Sequence, residues 1–188
     1  EFVVNDGSLT ISKRNVTLTS ATDSKVYDGN ALTNSEVTVG GDGFATNEGA
    51  TYNVTGTQTN VGKSANTFSY TLNSNTKLTN YNITKTEGEL EVTAVTNKVT
   101  VTITGHTAEA KYDGQEHTAE GYDVSTSNAL YTAADFKFTG TDSVTKTDAG
   151  NYSMGLKTAD FENTSENFKN VEFVVNDGSL TISKRNVT

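Results

Sequence analysis

The sequence predicts a mainly β protein of two tandem, small β-rich modules, each a sandwich or a β-grasp-like sheet, arranged end to end as a rod. Three observations lead there. Residues 1–17 return letter for letter as residues 172–188, and self-similarity at a fixed period marks a repeat architecture. Inside that long period lies a half-period: Tyr27-Asp28-Gly29 is answered by Tyr112-Asp113-Gly114, 85 positions on. Alternating apolar and polar stretches, punctuated by Asp-Gly pairs, run through both halves. Such alternation fits half-buried strands, and Asp-Gly tolerates the positive φ of tight turns.

The elements follow in order. Residues 1–12 read as the closing strand of a preceding repeat. The first module is expected over 13–97, the second over 98–183, and 184–188 would start the next repeat. In the first module, strands are expected near 14–20, 23–28, 35–39, 51–57, 66–72, 80–84 and 88–94. In the second they are expected near 98–105, 107–112, 121–125, 135–140, 151–157, 169–175 and 178–183. A helical turn is expected at Ser127–Ala134, with Ser127 as its N-cap. The first module offers only the loop Gly40–Gly49 there. The two modules join through Val92–Lys98 without a Pro- or Gly/Ser-rich linker. A short junction restricts hinge motion and favours a stiff series of modules.

Composition narrows the class. The chain has 188 residues, no Pro and no Cys, and 23 acidic against 14 basic residues, for a net charge of −9. An acidic surface argues against nucleic acid and anionic membranes as partners. Disulfide staples are ruled out, which suits a Gram-positive style exterior better than an animal one. The hydrophobic fraction, 33%, is low for a globular domain, but the apolar residues are patterned and support folding.

Short motifs then carry a resemblance. An alternating first strand is followed by Tyr27–Gly29 or Tyr112–Gly114. Later come Asp148–Tyr152, Asn80–Ile83, and the closing Gly88–Val92 and Gly178–Ile182. This pattern resembles the MBG/YDG-type tandem repeat domains of large bacterial cell-surface adhesins. Two places depart from it: Asn60-Val61-Gly62 has extra residues before Phe68, and Asn170-Val171-Glu172-Phe173 stands where Asn-Tyr-x-Ile is expected. The resemblance implies β-rich stalk modules of an extracellular, wall-attached bacterial protein, and it implies no catalysis or cofactor. The expected role is a spacer that extends a distal binding region from the cell wall. The alternative is a repeat that itself binds a host glycan, mucin or immunoglobulin through loops 40–50 and 126–135, with Phe44, Leu130, Tyr131 and Phe136 as contacts. Copy number would then supply avidity.

The Gly-x-Ser-x-Gly elbow, the phosphate-binding Gly loop and the His-Glu-x-x-His helix are all missing from the sequence. The two His residues, His106 and His117, flank the second Tyr-Asp-Gly turn, with Glu109 and Glu116 nearby. They read as exposed turn neighbours rather than metal ligands. Asp42, Asn47 and Glu48 offer oxygen atoms but lack the alternating ladder of a calcium loop. Tyr27, Asp28 and Gly29, like Tyr112, Asp113 and Gly114, read as fold maintenance: the ring fills a small core and Asp caps local N–H groups. No Lys–Asn spacing marks an isopeptide cross-link. The partners expected are neighbouring repeats of the same chain. A monomer is expected, and an edge-strand dimer through residues 1–12 is the alternative.

Overall fold

The sequence Arg-Asn-Val-Thr-Leu-Thr-Ser opens the first sheet. It forms β1 (Arg14–Ser20), whose Val16, Leu18 and Ser20 are buried while the residues between them face water. Successive strand side chains point to opposite faces, so this alternation decides which face packs. A computed structural model describes residues 2–187, and the chain divides between Thr93 and Ala94 into two compact units. The first continues with β2 (Asp23–Val26), β3 (Val37–Gly41), β4 (Ala50–Val54), β5 (Gly62–Asn66), β6 (Phe68–Leu72), β7 (Tyr81–Thr86) and β8 (Gly88–Thr93).

β1 lies in the middle of the first sheet, ordered β3-β1-β7, antiparallel to β3 and parallel to β7. The last strand, β8, lies in the middle of the second, ordered β2-β8-β5, parallel to β2 and antiparallel to β5. β4 and β6 form a separate antiparallel pair. The main core joins Val16 and Leu18 to Phe68 and Tyr81, with Phe44, Tyr52 and Ile83 packed against them. A smaller core gathers Leu32, Leu90 and Val92, with Tyr27 and Val61 against it.

The chain passes from the first sheet to the second twice, after Ser20 and after Thr86. A polar knot ties these passages together. The buried Ser20 hydroxyl donates to the Asn66 carbonyl at 2.6 Å and accepts from the Gly88 N–H at 2.9 Å. Asn66, fully buried, donates its amide to the carbonyls of Ala21 and Asn34, both at 2.9 Å. Its Oδ1 has no hydrogen-bond donor and lies under Gly56, where a Cβ would come within 2.4 Å of it.

The second unit repeats the plan. Its strands are β9 (Val99–Gly105), β10 (Thr107–Lys111), β11 (His117–Glu120), β12 (Tyr122–Thr126), β13 (Phe136–Phe138), β14 (Ser143–Lys146), β15 (Gly150–Ser153), β16 (Phe161–Asn163), β17 (Val171–Asn176) and β18 (Ser179–Ser183). The sheets β12-β9-β17 and β10-β18-β15 and the pair β13-β16 match those of the first unit in order. Strand directions match too: β9 runs parallel to β17, and β10 parallel to β18. The addition is the antiparallel pair β11-β14. In the first unit the corresponding place, three residues after the Tyr-Asp-Gly glycine, holds a single bridge, Leu32 to Gln58. The core consists of Val99, Val101, Ile103, Leu180 and Ile182. An aromatic cluster of Tyr122, Tyr131, Phe136, Phe138, Phe161, Phe168 and Phe173 extends it, with neighbouring ring centroids 4.8–6.4 Å apart. Such spacing lets rings meet edge to face or offset, which adds to the gain from burial.

The fold is mainly β, as expected, with four strands beyond the sequence reading. These are Gly62–Asn66, His117–Glu120, Ser143–Lys146 and Phe161–Asn163. Each is three to five residues long, too short for alternation to register. The helical turn sits later than Ser127–Ala134. It is a 3₁₀ turn at Ala133–Asp135, capped by Thr132, whose N–H donates to Asp135 Oδ2 at 2.8 Å. Ser127 is not a cap. Its hydroxyl oxygen accepts from the Thr100 N–H at 2.9 Å and so pins the loop to β9. Residues 2–13 form no strand and are exposed throughout.

Candidate functional site

The two Tyr-Asp-Gly turns are built alike. Asp28 Oδ1 accepts from the Asn30 N–H at 2.9 Å and from the Lys25 ammonium at 2.6 Å. Asp113 Oδ1 accepts from the Gln115 N–H at 2.9 Å and meets His117 Nε2 at 3.0 Å. The Lys25 contact, then the Asn30 N–H, hold the Asp28 carboxyl below its ordinary pKa. The Gln115 N–H, then His117, do the same for Asp113. Gly29 and Gly114 have φ of 79° and 82°, a region glycine enters without a Cβ clash. Tyr27 packs on Leu32, Leu90 and Val92, whereas the ring of Tyr112 is partly open to water. Every polar atom named here serves the turn itself.

The loops proposed as contact surfaces are also largely committed inward. Phe44 stands edge-on to Tyr81, with centroids 5.2 Å apart. Phe136 packs among Tyr131, Phe161 and Phe173. Tyr131, named above as a contact residue, is 2% exposed and belongs to the core. Its hydroxyl donates to the carbonyl of Asp135 at 3.1 Å and to Asn163 Oδ1 at 3.0 Å, and burial pushes its pKa up to about 12. Leu130 is the surface member of the four, at 39% exposure. The loop around residue 130 thus presents one apolar side chain rather than an aromatic platform.

The acidic loop of the first unit is internally satisfied. Asp42 Oδ2 accepts from the Asn15 N–H at 2.9 Å, and Arg14 donates to the carbonyl of Gly43 at 3.0 Å and to that of Asp42. Glu48 accepts from the Tyr81 hydroxyl, and this contact, more than any other, raises the pKa of Tyr81. The histidines do not converge. His106 Nδ1 meets the Glu120 carbonyl at 2.8 Å and its Nε2 lies 3.3 Å from Asp123, while His117 belongs to Asp113. Asp123 foremost, then the Glu120 carbonyl, raise the pKa of His106. Among the described residues, no group of three or more His, Cys, Asp or Glu side chains is placed to hold a metal ion. Among the same residues, no helix is long and apolar enough to cross a membrane.

The polar residues that matter most to the architecture escaped the sequence reading. Ser20 and Asn66 tie the sheets of the first unit. Asp177 has that job in the second. Its carboxylate accepts from the Gly155 N–H at 3.0 Å, the Leu156 N–H at 2.9 Å and the Ser153 hydroxyl. Desolvation pushes its pKa up, but these donors together outweigh it and hold the group below its ordinary value. The signal for Asp177 was its Asp-Gly pair, which reads only as a turn. Asn66 gave no signal, because Asn is abundant throughout the sequence.

Comparison with known proteins bears on the second unit. Residues 93–184 match the family model described as MBG domain. Searches of curated proteins and of solved structures return no significant match. The first unit, outside that match, shares the sheet orders β3-β1-β7 and β2-β8-β5 with β12-β9-β17 and β10-β18-β15. The match to the MBG domain model therefore falls almost wholly within the second unit.

Proposed function

We propose that this chain is a non-catalytic spacer repeat of a bacterial surface adhesin, one that holds a distal binding region away from the cell wall. MBG domains are found in surface adhesin-like proteins. The observation that carries the reading is the direction of the outer strands in sequence. In each unit the opening strands pair in parallel with the closing ones: β1 with β7, β2 with β8, β9 with β17 and β10 with β18. A pull on the two chain ends drags opening strands towards their starts and closing strands towards their ends. Parallel ladders are then loaded lengthwise, so their hydrogen bonds must fail together rather than one after another. Six residue pairs join β1 to β7, and six join β9 to β17. A tether under flow or contact forces needs that property, and it needs no cleft or cofactor.

Single-molecule pulling tests the reading. Loading through the two termini should give two unfolding events, each releasing roughly 26–32 nm of chain at ~3.3–3.6 Å per residue. The control is the Thr51→Cys/Thr71→Cys variant pulled through those two positions, which face each other in the antiparallel β4-β6 pair and would unzip bond by bond. A terminal unfolding force no higher than this unzipping force would sink the proposal. Solution scattering adds a check on reach: a maximum dimension no longer than that of one unit would contradict a spacer.

A further inference from the structure

Residues 2–12 and residues 173–183 are the same eleven residues in two states. In the second unit they form β17 and β18, where Leu180 is 0% and Ile182 2% exposed. In the N-terminal copy the equivalent Leu9 and Ile11 are 87% and 85% exposed. The residues that follow show the reverse. Val16 is buried in β1, while its counterpart Val187 is exposed. Each copy folds the part that the other leaves bare.

We propose that residues 2–12 of one molecule replace residues 173–183 in the second unit of another copy of this chain. The geometry favours replacement over addition at an edge. β18 lies inside its sheet, between β10 and β15. A segment laid along an outer edge would leave Leu9 and Ile11 in water, whereas the β18 position buries both. Because the two segments are identical, the exchanged unit keeps every side-chain contact of the resident one. The incoming strand then leads through Lys13 directly into β1 of the donor, so the acceptor's second unit is followed by the donor's first. The acceptor's own residues 2–12 stay available for a third molecule or for the donor. The product is therefore a head-to-tail series or a closed reciprocal dimer. Neither segment is intrinsically preferred, so the balance depends on concentration. The change is slow, because a central strand must leave before another enters.

A variant that damages only the resident copy tilts this balance. Leu180→Ala opens a cavity under β18, while the incoming segment retains Leu9. A reporter pair reads the result. Glu109 stands opposite Thr181 in the β10-β18 register, and Thr10 is the counterpart of Thr181. The chain has no Cys, so in the Thr10→Cys/Glu109→Cys variant a disulfide joining position 10 to position 109, told by peptide mapping from 10–10 and 109–109 links, marks residues 2–12 in the β18 position. The full chain carrying this pair is unfolded and refolded over a range of concentrations, then sized by chromatography with light scattering. Covalent dimers and larger species are expected, in a fraction that rises with concentration. Leu180→Ala should raise the exchange constant on the order of 10²-fold, from the cost of such a cavity. Leu9→Ala should lower it similarly, and the double variant should return it to the starting value. The proposal fails if no intermolecular disulfide of this kind forms at any concentration in the otherwise unchanged chain. It also fails if Leu180→Ala does not increase that disulfide, or if the disulfide closes within a single chain.

Discussion

Asn66→Asp replaces one amide nitrogen by oxygen and leaves the shape of the side chain unchanged. Its effect should nevertheless be large. Asn66 is fully buried, and its nitrogen donates to two backbone carbonyls, those of Ala21 and Asn34. A carboxylate donates to neither. Leaving a buried acceptor unpaired costs about 1–3 kcal/mol, so the two carbonyls together give about 2–6 kcal/mol. A domain of this size is held by about 5–15 kcal/mol in total. Desolvation raises the pKa of a buried carboxyl, and a protonated one recovers a single donor. The sign is therefore set. The folded-state pKa lies above the unfolded value, so the penalty grows as pH rises from the unfolded pKa through the folded one. Urea unfolding followed by circular dichroism at pH 7 and at pH 4.5 is the assay. The first unit's transition should fall by several kcal/mol at pH 7 and by less at pH 4.5. The second unit's transition should not move, because the hydrogen-bond partners of Asn66 all lie in the first. A first-unit loss below about 0.5 kcal/mol, or one equal at both pH values, would refute the role given to the polar knot.

Three further outcomes are expected. Gly178→Ala should destabilise the second unit by about 1–3 kcal/mol, because a Cβ there would lie 2.4 Å from the His106 carbonyl oxygen, while Gly7→Ala, at the same place in the N-terminal copy, meets nothing within 4 Å and should be neutral. Equilibrium unfolding of the two variants compares them directly. The lowered pKa of Asp177 contributes stability present above the unfolded value near 3.8 and lost as pH falls through the folded one. The raised pKa of His106 contributes stability present below 6.5 and lost as pH rises through its folded value. Melting curves across pH should therefore have a shallower acid limb in Asp177→Asn, where Asp28 and Asp113 still contribute, and a reduced slope above pH 6.5 in His106→Gln. Of the eight tyrosines, Tyr131, with its pKa near 12, should ionise among the last. Its neutral form is favoured by folding, so stability falls as pH climbs above 10, and phenolate absorbance should rise in step with loss of β structure.

The long alternating strands were legible because burial on one face writes itself into the sequence. Arg14–Ser20 appears with the expected ends, and Val99–Gly105 and Gly88–Thr93 differ from expectation by a residue. Short strands such as Phe161–Asn163 are held by pairing and aromatic packing rather than by pattern, so nothing periodic announces them. The candidate contact residues show the same limit from another side. Tyr131 sits in a Ser-, Asn-, Thr- and Ala-rich stretch that reads as a helical turn in a contact loop, and Phe136 follows it in the strand expected at 135–140. The loop folds back, and the rings join Phe161, Phe168 and Phe173, which lie far along the chain. Of the four candidate contact residues, Leu130 is the one left exposed. Recurrence was the strongest sequence signal. It located the Tyr-Asp-Gly turns, whose Gly has a similar positive φ and whose Asp accepts from the N–H two residues on in both units. It could not reveal that one copy of the 17-residue segment folds where the other does not.

The central position of β8 and β18 has a consequence for biosynthesis. β2 and β5, like β10 and β15, have no partner in their sheet until the strand between them has been made. That strand is the last of its unit to leave the ribosome. A nascent unit must therefore wait, with its second sheet open, while translation finishes it. In a chain of similar units this sets an order of completion: each closes around its own newest strand as that strand emerges, before the matching segment of any later unit has been synthesised.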